Sequence, residues 1–189
     1  MAQRSINLRF WLPAWLTDAP APLNVFAAAA LGRIDIVKAY FPEGASRKRA
    51  LSKRQFNEGF AYACGYGQLD VVRFLLDKDA NLSTQVGGGQ TPLHLAVISG
   101  NVDMVKLLPG YNPPLEVKNG FGGTVFGQAL WSAAHGGDPD AYIAILEALA
   151  DAGANIPKRH IAVNVRIDAW LSQAGIGVGE NRLCKSGRQ

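Results

Sequence analysis

Four glycines, Gly32, Gly67, Gly100 and Gly137, stand 35, 33 and 37 residues apart, and each follows the same kind of text. The runs before them are small and apolar: Phe26-Ala27-Ala28-Ala29-Ala30, Phe60-Ala61-Tyr62-Ala63-Cys64, Leu93-His94-Leu95-Ala96-Val97 and Ala129-Leu130-Trp131-Ser132-Ala133. A unit of about 33 residues is too small to bury its own apolar face. A chain built on this period must therefore stack its copies so that neighbours share one elongated core.

Each column of the repeat has a physical reason. Small residues such as Ala28, Ala29, Ala63 and Ala96 allow one helix to lie close against the next copy. The glycine that follows suits the left-handed residue that ends a helix. An apolar-acidic-apolar-apolar-basic pattern comes next: Ile34-Asp35-Ile36-Val37-Lys38, Leu69-Asp70-Val71-Val72-Arg73 and Val102-Asp103-Met104-Val105-Lys106. The acid belongs in the first turn of a second helix, where the helix dipole favours negative charge. The apolar residues recur at helical spacing and face the neighbouring copy. In the third copy Thr91 is an N-cap, and Pro92 occupies the first turn, where a missing amide hydrogen costs nothing. The fourth copy runs through Tyr142-Ile143-Ala144-Ile145-Leu146 to Gly153.

The period, the Thr91-Pro92-Leu93-His94 opening and the turn glycines resemble the ankyrin repeat family over about residues 23–157, most specifically in the third copy. The resemblance implies an all-α solenoid of stacked helix-turn-helix repeats joined by short hairpin or loop fingers. Its repeats would fall at about 23–57, 58–90, 91–127 and 128–157. His94 then reads as a structural hydrogen-bonding residue. Trp131 would stand in the fourth repeat where the family places that histidine, and so serve in packing, with partner contact as its other role.

Two departures stand out. The stretch from Pro109 to Gly123 is dominated by turn residues and aromatics, which predicts a long loop, mobile around Gly120-Phe121-Gly122-Gly123. The fourth repeat's second helix is predicted from about Pro139 to Ala152, about one turn longer than the others. Residues 158–179 read as a C-terminal capping helix followed by a polar tail at 180–189, because the end of a stack needs an atypical outer face. Residues 1–22 read as an N-terminal capping segment. Arg4 and Arg9 before an apolar cluster resemble a secretory signal, but Pro13 interrupts it, and Pro20 and Pro22 surround the small-residue pattern.

Charged residues make up 18% of the 189, and the longest uncharged apolar run falls short of the roughly 20 residues of a membrane span. No membrane role is expected. Cys64 and Cys184 are far apart and lack the spacing of a zinc site or disulfide framework, which suits reduced thiols in the cytoplasm. The histidines His94, His135 and His160 fall in three different elements, with no metal or triad spacing. Gly87-Gly88-Gly89 is not followed by the Lys-Ser or Lys-Thr of a phosphate loop and reads as a hairpin tip. Neither a catalytic constellation nor a cofactor is expected.

The densest charge is Arg47-Lys48-Arg49 with Lys53 and Arg54, five basic residues within eight. It reads as a solvated finger that would meet an acidic partner surface. Nucleic-acid binding is the alternative, disfavoured because no aromatics interleave to stack bases. An enzyme with an unrecognised site is the other. The family resemblance implies a non-catalytic protein-protein interaction module whose partner lies on the concave face and fingers, as an inhibitor, neutraliser or effector. The chain would be monomeric when unbound, and cytoplasmic or delivered into a host cell. The positions carried over are Tyr66, Ile98, Ser99 and His135 beside the turn glycines, Gln55, Asn57 and Gln90 beside the basic residues on the fingers, Tyr111 and Phe121 in the long loop, and Trp131. Tyr66 and Ile98 are apolar where the fold does not need them to be, and exposed aromatics make good binding anchors.

Overall fold

The computed structural model describes residues 24–41, 51–161 and 163–179; the basic residues Arg47, Lys48 and Arg49, the segment 1–22 and the tail 180–189 lie outside them. Eight helices form four hairpins: α1 (Val25–Ala30) with α2 (Ile34–Lys38), α3 (Lys53–Gly65) with α4 (Leu69–Leu76), α5 (Pro92–Ile98) with α6 (Val102–Leu107), and α7 (Val125–Ala134) with α8 (Pro139–Asp151). The first helices stack in the order α1, α3, α5, α7, while α2 lies beside α4 and α6 beside α8 in the second layer. One continuous apolar cluster runs from Val25 to Ile176. It is the all-α solenoid that the period demands.

Local chemistry starts every first helix. The side chains of Asn24, Ser52, Thr91 and Thr124 accept the amides of Ala27, Gln55, His94 and Gly127, satisfying a donor that the helix itself leaves unpaired. At Ser52 the bond is reciprocated, since Gln55 Oε1 accepts the Ser52 amide at 3.1 Å and completes a capping box. Helix α3 therefore begins at Lys53, and Lys53, Arg54, Gln55 and Asn57 are helical, not finger residues. The boundary between the first two repeats moves from residue 58 to Ser52.

The helix ends correct the alignment of the fourth repeat. Gly32, Gly67 and Gly100 have φ of +73°, +70° and +68°, and the next residue in each case returns its amide to the carbonyl five residues back. In the fourth hairpin the left-handed residue is Gly136, at φ +99°, and Gly137 makes the five-back bond, to Ser132. Gly137 is the counterpart of Arg33, Gln68 and Asn101. A Cβ there would collide with the ring of Tyr142, so glycine is required for closeness and not for its φ.

The C-terminal interval is not one helix. A nine-residue helix, α9 (Val165–Gln173), is flanked by strands β1 (Arg159–Ile161) and β2 (Gly177–Gly179), which pair in parallel. Ile167, Leu171 and Ile176 are buried against the end of the stack, while Trp170 Nε1 donates to Glu147 Oε1 at 3.1 Å and Arg166 pairs with Asp140. The helix lid was readable from its apolar spacing. The strand pair was not, because it consists of two three-residue segments that make sense only once α9 brings them side by side.

Candidate partner-binding face

Counting back from the residue that caps each first helix defines which side chains share a face. The capping residues are Leu31, Tyr66, Ser99 and His135, and the residues four earlier, one helical turn away, are Ala27, Tyr62, Leu95 and Trp131. From the second repeat onward the residues in these columns are only partly covered: Tyr62, Tyr66, Leu95 and Ser99 are half-buried, as is Ile98 beside Ser99, His135 is exposed, and Trp131 is 58% exposed. In the first three repeats, residues of these columns pack against the neighbouring first helix. Tyr62 meets Phe26 edge-on at 4.8 Å between ring centres, and a side chain at Gly65 would press on Leu95. Burial raises the phenols of both Tyr62 and Tyr66, with Glu58 adding to the first and Tyr62 to the second.

Trp131 and His135 form one unit. Their rings stack at 4.1 Å with planes 18° apart, and His135 Nδ1 lies 2.7 Å from the Trp131 carbonyl. A carbonyl only accepts, so Nδ1 carries the hydrogen of this bond. Trp131 is not a core packing residue. With Thr124 as N-cap, the fourth repeat's counterpart of His94 is Gly127, and α7 is three residues longer than α5.

The second finger approaches this face, since a Cβ on Gly87 would lie 3.9 Å from the Tyr62 hydroxyl, and the fingers are tied to one another. Val86 and Gln90 bridge as a hairpin whose tip is Gly87–Gly89, as predicted. The loop after the third repeat folds against that tip: Gly120 donates its amide to the Gly88 carbonyl at 2.8 Å, and a Cβ on either Gly89 or Gly120 would meet backbone of the other finger at under 3.0 Å. Asn119 organises this loop from inside. Its Oδ1 accepts the amides of Phe121 and Gly123 at 3.0 and 2.9 Å, and its Nδ2 donates to Gln128 Oε1 at 3.1 Å and Gln90 Oε1 at 3.4 Å. His94 Nε2 reaches the Gly123 carbonyl at 3.1 Å while Nδ1 lies 2.7 Å from Thr91 Oγ1, giving it the structural role expected. The segment Gly120–Gly123 is thus pinned by hydrogen bonds rather than left as a free loop, and Phe121 stands on it 81% exposed.

A family model described as ankyrin repeats (3 copies) matches residues 25–119 and, in a second placement, 60–160. The chain belongs to the ankyrin repeat family. A search of curated proteins finds no match to the sequence. The two placements together span all four hairpins, so the irregular third loop and the long α8 are variations within an ankyrin stack.

Within that stack the predicted contact residues divide. Tyr66, Ile98 and Ser99 are half-buried and Trp131 and His135 exposed near the C-terminal ends of the first helices, and Tyr111 and Phe121 are exposed on the third loop. Gln55, Asn57 and Gln90 are taken by the fold. Gln55 closes the capping box, Asn57 is buried and accepts the Asn81 amide at 3.1 Å, and Gln90 is buried beside Asn119. Lys53 and Arg54 are exposed at the start of α3, where Arg54 pairs with Glu58 at 2.7 Å, a surface bond worth little. Tyr62 and Leu95 belong to the same face and were missed, although both stand one turn before a capping residue. Among the described residues no group of three or more His, Cys, Asp or Glu is placed to hold a metal ion, and no helix is long and apolar enough to cross a membrane.

Proposed function

We propose that this protein is a non-catalytic binding module that holds a partner protein against the open side of α3, α5 and α7 and the rim made by Phe121. The observation that carries this reading is the apolar row Tyr62, Tyr66, Leu95, Ile98 and Trp131. These side chains remain partly or largely in water although the core is complete without them, and neighbouring exposed apolar groups mark sites of association. Helices α5 and α7 contain no charged residue, so the middle of the face favours an apolar contact. Lys53 and Arg54 are exposed at the start of α3, and Arg47, Lys48 and Arg49 precede them in the sequence. A partner with an apolar centre and an acidic margin complements that arrangement, and charge at such a margin speeds association more than it tightens binding. Occlusion of a target by a single rigid stack suits an inhibitor, neutraliser or effector.

The test is capture from an extract of the native host with wild-type protein and with the double variant Tyr66→Glu, Trp131→Glu, after circular dichroism and thermal unfolding show that both fold alike. A protein held by the wild type and lost by the variant is the expected outcome. Retention of the same protein by the folded variant refutes the proposed face. Capture of nucleic acid, weakening steeply with salt, identifies the basic cluster as the binding element instead.

A further inference from the structure

Asn119 is the only asparagine in the chain that is followed by glycine. With no side chain on the next residue, the backbone nitrogen of Gly120 has the least hindered path to the Asn119 side-chain carbonyl carbon. We propose that Asn119–Gly120 is a latent deamidation site that the folded fingers hold shut, and that its conversion releases the third loop from the stack. In the reaction the Gly120 nitrogen bonds to Asn119 Cγ and gives up its proton, the Cγ–Nδ2 bond breaks, and ammonia leaves. Water then opens the resulting five-membered imide at either carbonyl, giving aspartate or its β-linked isomer.

Both participants are restrained in the native state. The nucleophile's hydrogen is held on the Gly88 carbonyl of another finger at 2.8 Å. The amide under attack is buried and fixed at both ends, its oxygen by the amides of Phe121 and Gly123 and its nitrogen by Gln128 and Gln90. Two backbone donors on one atom also settle which atom is oxygen. The reaction therefore has to wait for the third loop to lift from the second finger.

The product cannot return to the same arrangement. Aspartate keeps the amides of Phe121 and Gly123 on one oxygen but places a second acceptor where Nδ2 donated to Gln128 Oε1 and Gln90 Oε1, so the glutamine amides must turn over to donate and Gln128 Nε2 leaves Ser132 Oγ. The β-linked isomer adds a methylene to the main chain, which shifts Gly123 away from His94 Nε2 and Phe121 away from its support. Conversion thus alters the shape of the rim, whatever binds there.

Peptide mapping by mass spectrometry, on the full chain held at mildly alkaline pH, tests the first half. Conversion of Asn119 is expected to be at least about tenfold slower in buffer than in urea, with Gln128→Leu speeding the folded-state reaction several-fold and leaving Asn81 and Asn101 unchanged. Equal rates in buffer and urea, or no acceleration in folded Gln128→Leu, overturn the protection. Should that variant not fold, hydrogen exchange at the Gly120 amide of the wild type replaces it, and conversion that fails to follow Gly120 opening overturns the mechanism. For the second half, Asn119→Asp is expected to lower the unfolding midpoint and raise hydrogen exchange at Phe121 and Gly123; unchanged values for both overturn the release.

Discussion

The hydroxyl of Tyr142 donates to the Val97 carbonyl at 2.9 Å, joining the second helix of the last repeat to the end of the first helix in the repeat before it. Tyr142 is buried, and its ring fills the space that Gly137 leaves open. The Val97 carbonyl also accepts the Gly100 amide at 3.0 Å, so it keeps a partner if the hydroxyl is removed. Tyr142→Phe is therefore expected to cost only about 1 kcal/mol, the net worth of one buried hydrogen bond. Urea unfolding with an unchanged m-value would measure it.

The two glycines of the fourth turn are expected to respond differently to alanine. At Gly136 the added methyl meets open space, and only the left-handed backbone is penalised, by about 1 kcal/mol. At Gly137 it collides with the buried Tyr142 ring and lies 3.0 Å from the Ser132 carbonyl, an overpacking that costs about 2–3 kcal/mol. Thermal unfolding of the two variants compares them directly. A smaller loss at Gly137 than at Gly136 would contradict the one-residue shift in alignment.

Burial pushes the His94 imidazole below the ordinary histidine value, against a smaller opposing effect of its bond to the Gly123 carbonyl. The unfolded chain then takes up this proton at a higher pH than the folded chain does. Stability from this residue is complete above about pH 6.5 and declines as pH falls below it, levelling once the folded form is also protonated. His94→Gln, which loses the titration and keeps an amide at the capping position, should flatten the decline while lowering stability at pH 7 by about 1–2 kcal/mol. Unfolding curves between about pH 7 and pH 5 test both effects.

The lid helix α9 should depend on its buried residues and not on its surface pair. Leu171→Ala removes a fully buried side chain and is expected to cost about 2–4 kcal/mol. Arg166→Ala breaks the exposed pair with Asp140 and should cost less than about 1 kcal/mol. Hydrogen exchange on α8 and α9 would show Leu171→Ala loosening the end of the stack and Arg166→Ala leaving it nearly unchanged.

Much of the candidate face was legible because it follows from helix register. Tyr66, Ile98 and His135 lie beside turn glycines, and a turn glycine locates the end of a helix in sequence. Less legible were the polar residues that the fold itself uses, through bonds both local and long-range. Asn57, Gln90 and Gln55 look like finger residues as text, yet the first reaches the Asn81 amide, the second packs beside Asn119, and the third turns back on Ser52. Of these only the Ser52-x-x-Gln55 spacing carried a local signal. Gly137 misled for a related reason, since the identity of a glycine does not say whether φ or a neighbouring ring requires it.

What the sequence determined by itself was the stack: a period near 33 residues, small residues where helices meet, caps and turn glycines at the ends of helices. These are local causes, repeated. Only the tertiary structure decided that the third loop is pinned through Asn119, that Gly136 and not Gly137 turns the fourth hairpin, that β1 and β2 pair across α9, and that Trp131 stacks outward on His135. Most of these depend on two elements being brought together across the fold. Even Trp131 and His135, one turn apart on α7, are left outward by the packing of that helix, which a pattern read along the chain does not contain.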